Sequence, residues 1–150
     1  MSAIRERTLA FLQAHHVLTL ATSGEDGPWA AAVFYAARGF TLYFLSAAAT
    51  RHARNLAARR RVAGTVQEDT ADWRAVRGVQ LEGTARLLAG AEAEQARAVY
   101  GAKFPLVAGG APPEIAAALE RVGWYELLPD RLYLVDNAAG FGSREEVPLR

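Results

Sequence analysis

The chain has 150 residues, 51% of them hydrophobic and 22% charged, and its 17 basic and 16 acidic side chains leave a formal charge of +1. That length makes one domain, residues 1–150, able to bury about 70% of the surface its unfolded chain exposes, with neither a low-complexity tract nor an internal repeat. So small a net charge excludes the broad positive field of a nonspecific nucleic-acid binder, and the lack of cysteine excludes disulfides, thiolate-bound zinc, iron–sulfur clusters and a cysteine nucleophile.

The opening segment, Met1 to Thr8, is charged and lacks the apolar core of a signal peptide. No run approaches the ~18 apolar residues that span a bilayer, so a cytoplasmic protein with no membrane partner is expected. Ile4, Thr8, Phe11 and Leu12 fall at helical spacing behind Ser2 and predict a helix over residues 3–15. Val17 to Thr22 reads as a strand, Ser23 to Gly27 as a hairpin turn, and Trp29 to Ala36 as a second strand. After a turn at Ala37-Arg38-Gly39 the segment Phe40 to Leu45 makes a third, and the three form a meander.

Thr50 is a hydroxyl cap for a helix whose apolar face carries Ala53, Leu56 and Ala57. Thr50-Arg51-His52 sets a positive helix end, unpaired backbone N–H groups, a bidentate donor and a hydrogen-bonding ring side by side. Those are the groups an oxyanion needs, although the same residues also read as an ordinary capped helix with solvated charges. Arg59-Arg60-Arg61 complement the negative end of that helix.

Val62 to Gln67 returns to strand, Glu68 to Ala75 is a polar loop, and Val76 to Leu88 is a long strand with Val79 and Leu81 in alternation. Gly78 and Gly83 bend it, which lets a sheet curl into a closed or partly closed barrel. Gln80 points to the face opposite Val79 and Leu81. Residues 91–102 and 113–121 read as helices around a Gly109–Pro113 breaker, and Trp124 to Leu128 and Arg131 to Val135 as two last strands. The expected fold is mainly β (α+β): six to seven mostly antiparallel strands with peripheral helices.

His15 and His16 are adjacent, so their side chains diverge, and with three histidines and no HExxH spacing no metal site is expected. Ser23, Ser46 and Ser143 show no nucleophile elbow.

The hairpin Ala21–Trp29, the strand Leu42–Ser46, the segment Thr50–Leu56, then Val62–Val66 and Gly78–Gly83 follow one another in a familiar order. Over nearly its whole length the chain resembles the FMN-binding split barrels of the pyridoxamine-phosphate-oxidase-like superfamily. Thr50-Arg51-His52-Ala53, Gly78-Val79-Gln80 and the tail Asp136–Gly142 are similar to an uncharacterised bacterial branch of it.

The resemblance implies a homodimer holding FMN between subunits, with the phosphate on Thr50, Arg51 and His52 and with Ser46 nearby. It sets the flavin ring beside Ala31–Tyr35, in contact with Val33 and Phe34, and the Gln80 amide on the ring's polar edge. Trp124, Phe141 and Arg144 would reach the partner's flavin. Plain structural readings stand beside these: an Ala-rich core strand, a water-facing Gln80, a satellite-core Trp124 and a solvated Arg144.

A flavin-dependent oxidoreductase acting on a small molecule is the implied activity. No catalytic residue is evident, because a flavin can itself accept the hydride. Pyridoxamine-phosphate oxidation fits less well, since Ala30–Ala36 has no basic residue and the tail reads Gly140-Phe-Gly-Ser-Arg144. The alternatives are a non-catalytic flavin-binding or sensing dimer, or a haem- or F420-binding relative, with His15, His16 and His52 as the candidate haem ligands.

Overall fold

The computed structural model describes residues 2–150; Met1, at the head of the charged opening segment, lies outside the described residues. Helix α1 (Ala3–Ala14) buries Ile4, Thr8, Phe11 and Leu12 on one face. Thr8 can be buried because its hydroxyl donates to Ile4 O at 2.7 Å. The chain then enters an antiparallel hairpin of β1 (Val17–Gly24) and β2 (Gly27–Phe34). Glu25 and Asp26 make its turn, and Gly27 takes the positive φ of +95° that a side chain resists.

The expected meander does not form. β3 (Ala36–Arg38) pairs with β4 (Thr41–Ser46), and the sheet order β2-β1-β5-β6-β7-β4-β3 sets β2 and β3 at opposite ends. The stretch read as one strand, Trp29–Ala36, is divided at Tyr35. Its N–H donates to His16 O at 3.0 Å and its buried hydroxyl to Leu12 O at 2.7 Å. Since the two ends of the sheet are consecutive in the chain, the sheet curls until they meet at Tyr35, and a split barrel results.

Helix α2 (Arg51–Ala58) follows β4 and leads to β5 (Arg61–Gln67) and β6 (Arg77–Leu87). Arg61 thus belongs to a strand, where it pairs with Asp130, and only Arg59 and Arg60 follow the helix end. The two last strands expected from the sequence are one, β7 (Gly123–Asp136), which runs through Pro129. Glu82 pairs with Arg131 but Gly83 with Pro129, so Asp130 is the extra residue of a β-bulge. Proline, which has no N–H to give, sits where the ladder is already broken. Gly83 permits the approach, because a Cβ there would stand 2.2 Å from Leu128 O.

Helices α3 (Gly90–Lys103), α4 (Pro105–Ala108) and α5 (Pro113–Glu120) occupy the β6–β7 connection, and β8 (Arg144–Glu146) adds to β7. Neither α4 nor β8 is visible in the sequence pattern; each is a few residues long. Every pairing among the described residues is antiparallel. The main core fills the barrel with inward residues such as Leu20, Phe44, Val79 and Leu132 and is closed by α1. A smaller core under α3 holds Tyr43, Tyr100 and Trp124. No helix among the described residues is long and apolar enough to cross a membrane.

Candidate functional site

The end of β4 and the start of α2 meet in a compact polar cluster. Ser46, the last residue of β4, is 5% exposed and its hydroxyl lies 3.1 Å from Ala47 O. Thr50 Oγ1 lies 2.9 Å from Ser46 Oγ and accepts from the Ala53 N–H at 3.2 Å, so Thr50 caps the helix as its sequence position suggests. His52 Nε2 is 2.8 Å from Ser46 Oγ. Ser46 has one proton for Ala47 O, Thr50 Oγ1 and His52 Nε2, so the tautomer of His52 decides which of the pair donates. Burial lowers the His52 pKa from 6.5, so the ring is neutral at pH 7.

The chemistry of this donor set fits a phosphate. The first-turn N–H groups of Arg51 and His52 have no acceptor within the helix, and the dipole favours an anion above them. Arg51 reaches over the β1–β2 hairpin, with its guanidinium carbon 4.3 Å from the centroid of the Trp29 ring and one N–H donated to Asp26 O at 3.2 Å. Its other in-plane donors remain for a ligand. Asn55 on the next turn donates to Thr22 Oγ1 at 3.0 Å, tying α2 to β1. Trp29 has no signature in the sequence, because only the folded hairpin brings it to Arg51, and the role of Asn55 is hidden in the same way, since its partner Thr22 lies on that hairpin.

The remaining sequence candidates fall into three other places. Val33 packs against the main core, whereas Phe34 is 57% exposed and its ring lies 5.4 Å from that of Phe104. β2 is the end strand of the sheet, which leaves one side of its backbone without a strand partner among the described residues. Gln80 faces outward while Val79 and Leu81 are buried, as the alternation predicts. Ladder pairing sets it in one row, Ala32, Thr19, Thr65, Gln80, Tyr133, on the outer face of the barrel. It also lines a cavity of about 300 Å³ with Thr65, Gln67 and Val76.

Arg144 joins this face, its guanidinium 4.4 Å from the Tyr133 ring. Phe141 is 82% exposed and meets Trp73 edge-on at 5.5 Å between ring centres. The loop is held by Asn137, which donates to Trp73 O at 2.7 Å and accepts from the Gly142 N–H. Trp124 stands apart from all of these. It is buried against Tyr100 in the smaller core, as its plain structural reading has it.

Of the histidines, His15 stacks on Phe11 with Nδ1 2.7 Å from Phe11 O, and His16 is exposed beside Phe104. Among the described residues no group of three or more His, Cys, Asp or Glu is gathered to hold a metal ion.

Comparison with known proteins gives this architecture a context. The family described as Pyridoxamine 5'-phosphate oxidase matches residues 4–136. A UPF0306 protein of Enterobacter sp. (strain 638) is 35% identical over 136 residues, 89% of this chain and 89% of its own. A solved structure described as a heme binding protein from Mycobacterium smegmatis superposes with a TM-score of 0.74 at 26% identity. It covers 99% of this chain, which spans 59% of that longer one. HutZ, the heme storage protein from Vibrio cholerae, shares the fold with a TM-score of 0.71 at 21% identity, over 89% of this chain and 95% of its own.

Proposed function

The chain belongs to the pyridoxamine 5'-phosphate oxidase family and to the UPF0306 proteins, and from that membership we propose an FMN-binding homodimer acting as a flavin-dependent oxidoreductase on a small molecule. The observation that carries the reading is the Ser46–Thr50–His52 cluster at the start of α2, with Arg51 beside it. The Arg51 and His52 N–H groups and the Arg51 guanidinium hold the phosphate, and Ser46 and Thr50 fix the turn that presents them. FMN supplies, when bound, a ring nitrogen that accepts hydride. Phe34 and the end strand β2 would border the ring, and Gln80, three strands from β2 on the outer face, would offer its amide to the polar edge of the ring held by the other subunit.

The outer face supports the dimer. The rows Ala30, Ala21, Ala63 and Ala32, Thr19, Thr65 are small side chains over which a second copy packs closely, with Gln80 among them. Such an isologous contact brings Phe141 and Arg144 of one subunit to the other's ring.

Titration of FMN by quenching of its fluorescence tests the site. Arg51→Ala is expected to weaken binding by about 1.5–3 kcal/mol, the range for a hydrogen bond to a charged group; unchanged affinity removes the phosphate assignment. Anaerobic bleaching of the bound flavin by NADH or NADPH supports turnover. Flavin inert to both favours the sensing dimer.

A second reading, haem binding, has one observation in its favour: two solved structures of this fold are described as heme binding and heme storage proteins. His52 Nε2 is engaged by Ser46, whereas His15, its Nδ1 2.7 Å from Phe11 O, keeps Nε2 as a ligating nitrogen 3.9 Å from Glu68, and the neighbouring His16 is exposed, so His15 and His16 are the histidines able to ligate. A Soret band on adding haemin, lost in His15→Ala or in His16→Ala, would put this reading first.

A further inference from the structure

We infer that Trp29 is a positioning residue of the anion site: its indole holds the Arg51 guanidinium over the hairpin before any phosphate arrives. The inference rests on the phosphate reading above and adds a second structural element to it. Arg51 Cζ is 4.3 Å from the Trp29 ring centroid, and the Asp26 carbonyl takes one N–H from the same guanidinium at 3.2 Å.

Stacking engages the face of the guanidinium, whereas its donors lie in the plane at the edge. An arginine held by its face therefore loses side-chain freedom without losing the fork that binds an oxyanion. Trp29 is itself 42% exposed and belongs to neither core, so packing gives no account of a large aromatic there.

The hairpin can serve as a rigid mount because α2 is fastened to it independently of Arg51. Trp29 pairs with Thr22 across the ladder, and the Thr22 hydroxyl accepts from Asn55 Nδ2 at 3.0 Å. Arg59 donates to Gly24 O at 3.4 Å. Gly24 leaves just enough room for this approach, since a Cβ there would fall 2.1 Å from Asn55 Oδ1. The site is thus assembled from helix and hairpin together.

Paired titrations of the full chain with FMN and with riboflavin, which lacks the phosphate, test the inference. Trp29→Leu should weaken FMN binding roughly threefold to tenfold, the range of an exposed to partly desolvated cation–π contact, and leave riboflavin unchanged. Trp29→Phe, which keeps an aromatic face, should restore most of the affinity. In an Arg51→Ala background Trp29→Leu should have no further effect.

Arg51→Lys keeps the charge but not the plane, and should lose nearly as much affinity as Arg51→Ala. Wild-type FMN affinity in Trp29→Leu or in Arg51→Lys overturns the inference, as does an equal loss for FMN and riboflavin. Those results differ from an Arg51→Ala variant that binds normally, which overturns the underlying phosphate reading instead.

Discussion

The His52 imidazole and the Ser46 hydroxyl, 2.8 Å apart, join the first turn of α2 to the last residue of β4, and burial there keeps the ring neutral. A neutral ring next to an anion site is a place where a proton and an anion can arrive together.

FMN affinity should therefore rise as pH falls from 8 toward 6. Burial holds the His52 pKa below 6.5 in the unliganded protein, and a phosphate dianion raises it by stabilising the imidazolium, so binding takes up a proton in this window. The gain ends near pH 6, where the phosphate itself becomes a monoanion. His52→Gln should bind with an affinity independent of pH between 8 and 6.5; an unaltered slope in that variant would separate His52 from the effect.

Gly83→Ala should destabilise the barrel by about 3 kcal/mol or more. The added Cβ meets backbone on two residues of β7, Leu128 O at 2.2 Å and Pro129 Cα at 2.8 Å, so no side-chain rotation relieves it. Urea unfolding of the variant measures the loss, and a shift under about 1 kcal/mol would mean that the bulge can migrate.

Lys103, the chain's one lysine, should titrate far below its usual range. Burial lowers its pKa from 10.5 to about 8, while its ammonium donates to Leu12 O and His15 O and lies 4.3 Å from the Tyr35 ring centre. Between pH 8 and 10.5 the unfolded chain then binds more protons than the folded one, and stability rises with pH through that window. Lys103→Met removes this contribution, so its denaturation midpoint should gain less than the wild type's over the same range.

Phe141→Ala should leave unfolding within about 0.5 kcal/mol of wild type, as surface substitutions do, because the ring is 82% exposed and touches Trp73 at its edge. Its effect belongs to association. Sedimentation equilibrium should show weaker self-association, and FMN affinity should fall at low protein concentration and recover at high concentration. Identical association in variant and wild type would remove Phe141 from the proposed interface.

The parts of the molecule legible in its sequence are those whose partners are near in the chain. α2 and its cap are spelled out by Thr50, Ala53 and Leu56 at helical offsets, and Ser46 and His52 are close enough in sequence for the cluster to be foreseen. The outward direction of Gln80 follows from alternation alone. Closure of the barrel was hidden, because the acceptors that divide β2 from β3 at Tyr35 are backbone carbonyls of Leu12 and His16, which carry no side-chain signal. β7 looked like two strands because Pro129 ordinarily ends one; the bulge opposite Gly83 makes its missing N–H harmless. Trp29 over Arg51 was hidden for the same reason as Tyr35, being a contact made only once the hairpin is set against the helix.

The seam at Tyr35 makes two registers into one variable. β2 is set against β1 on one side of the seam and β3 against β4 on the other, yet a single buried tyrosine separates them in the chain. A slip of one residue in the hairpin cannot stay there: it would drag Tyr35 from its carbonyls and turn every side chain of β3 to the wrong face. The alignment that brings Trp29 to Arg51 is therefore checked across the seam, by residues with no part in the site.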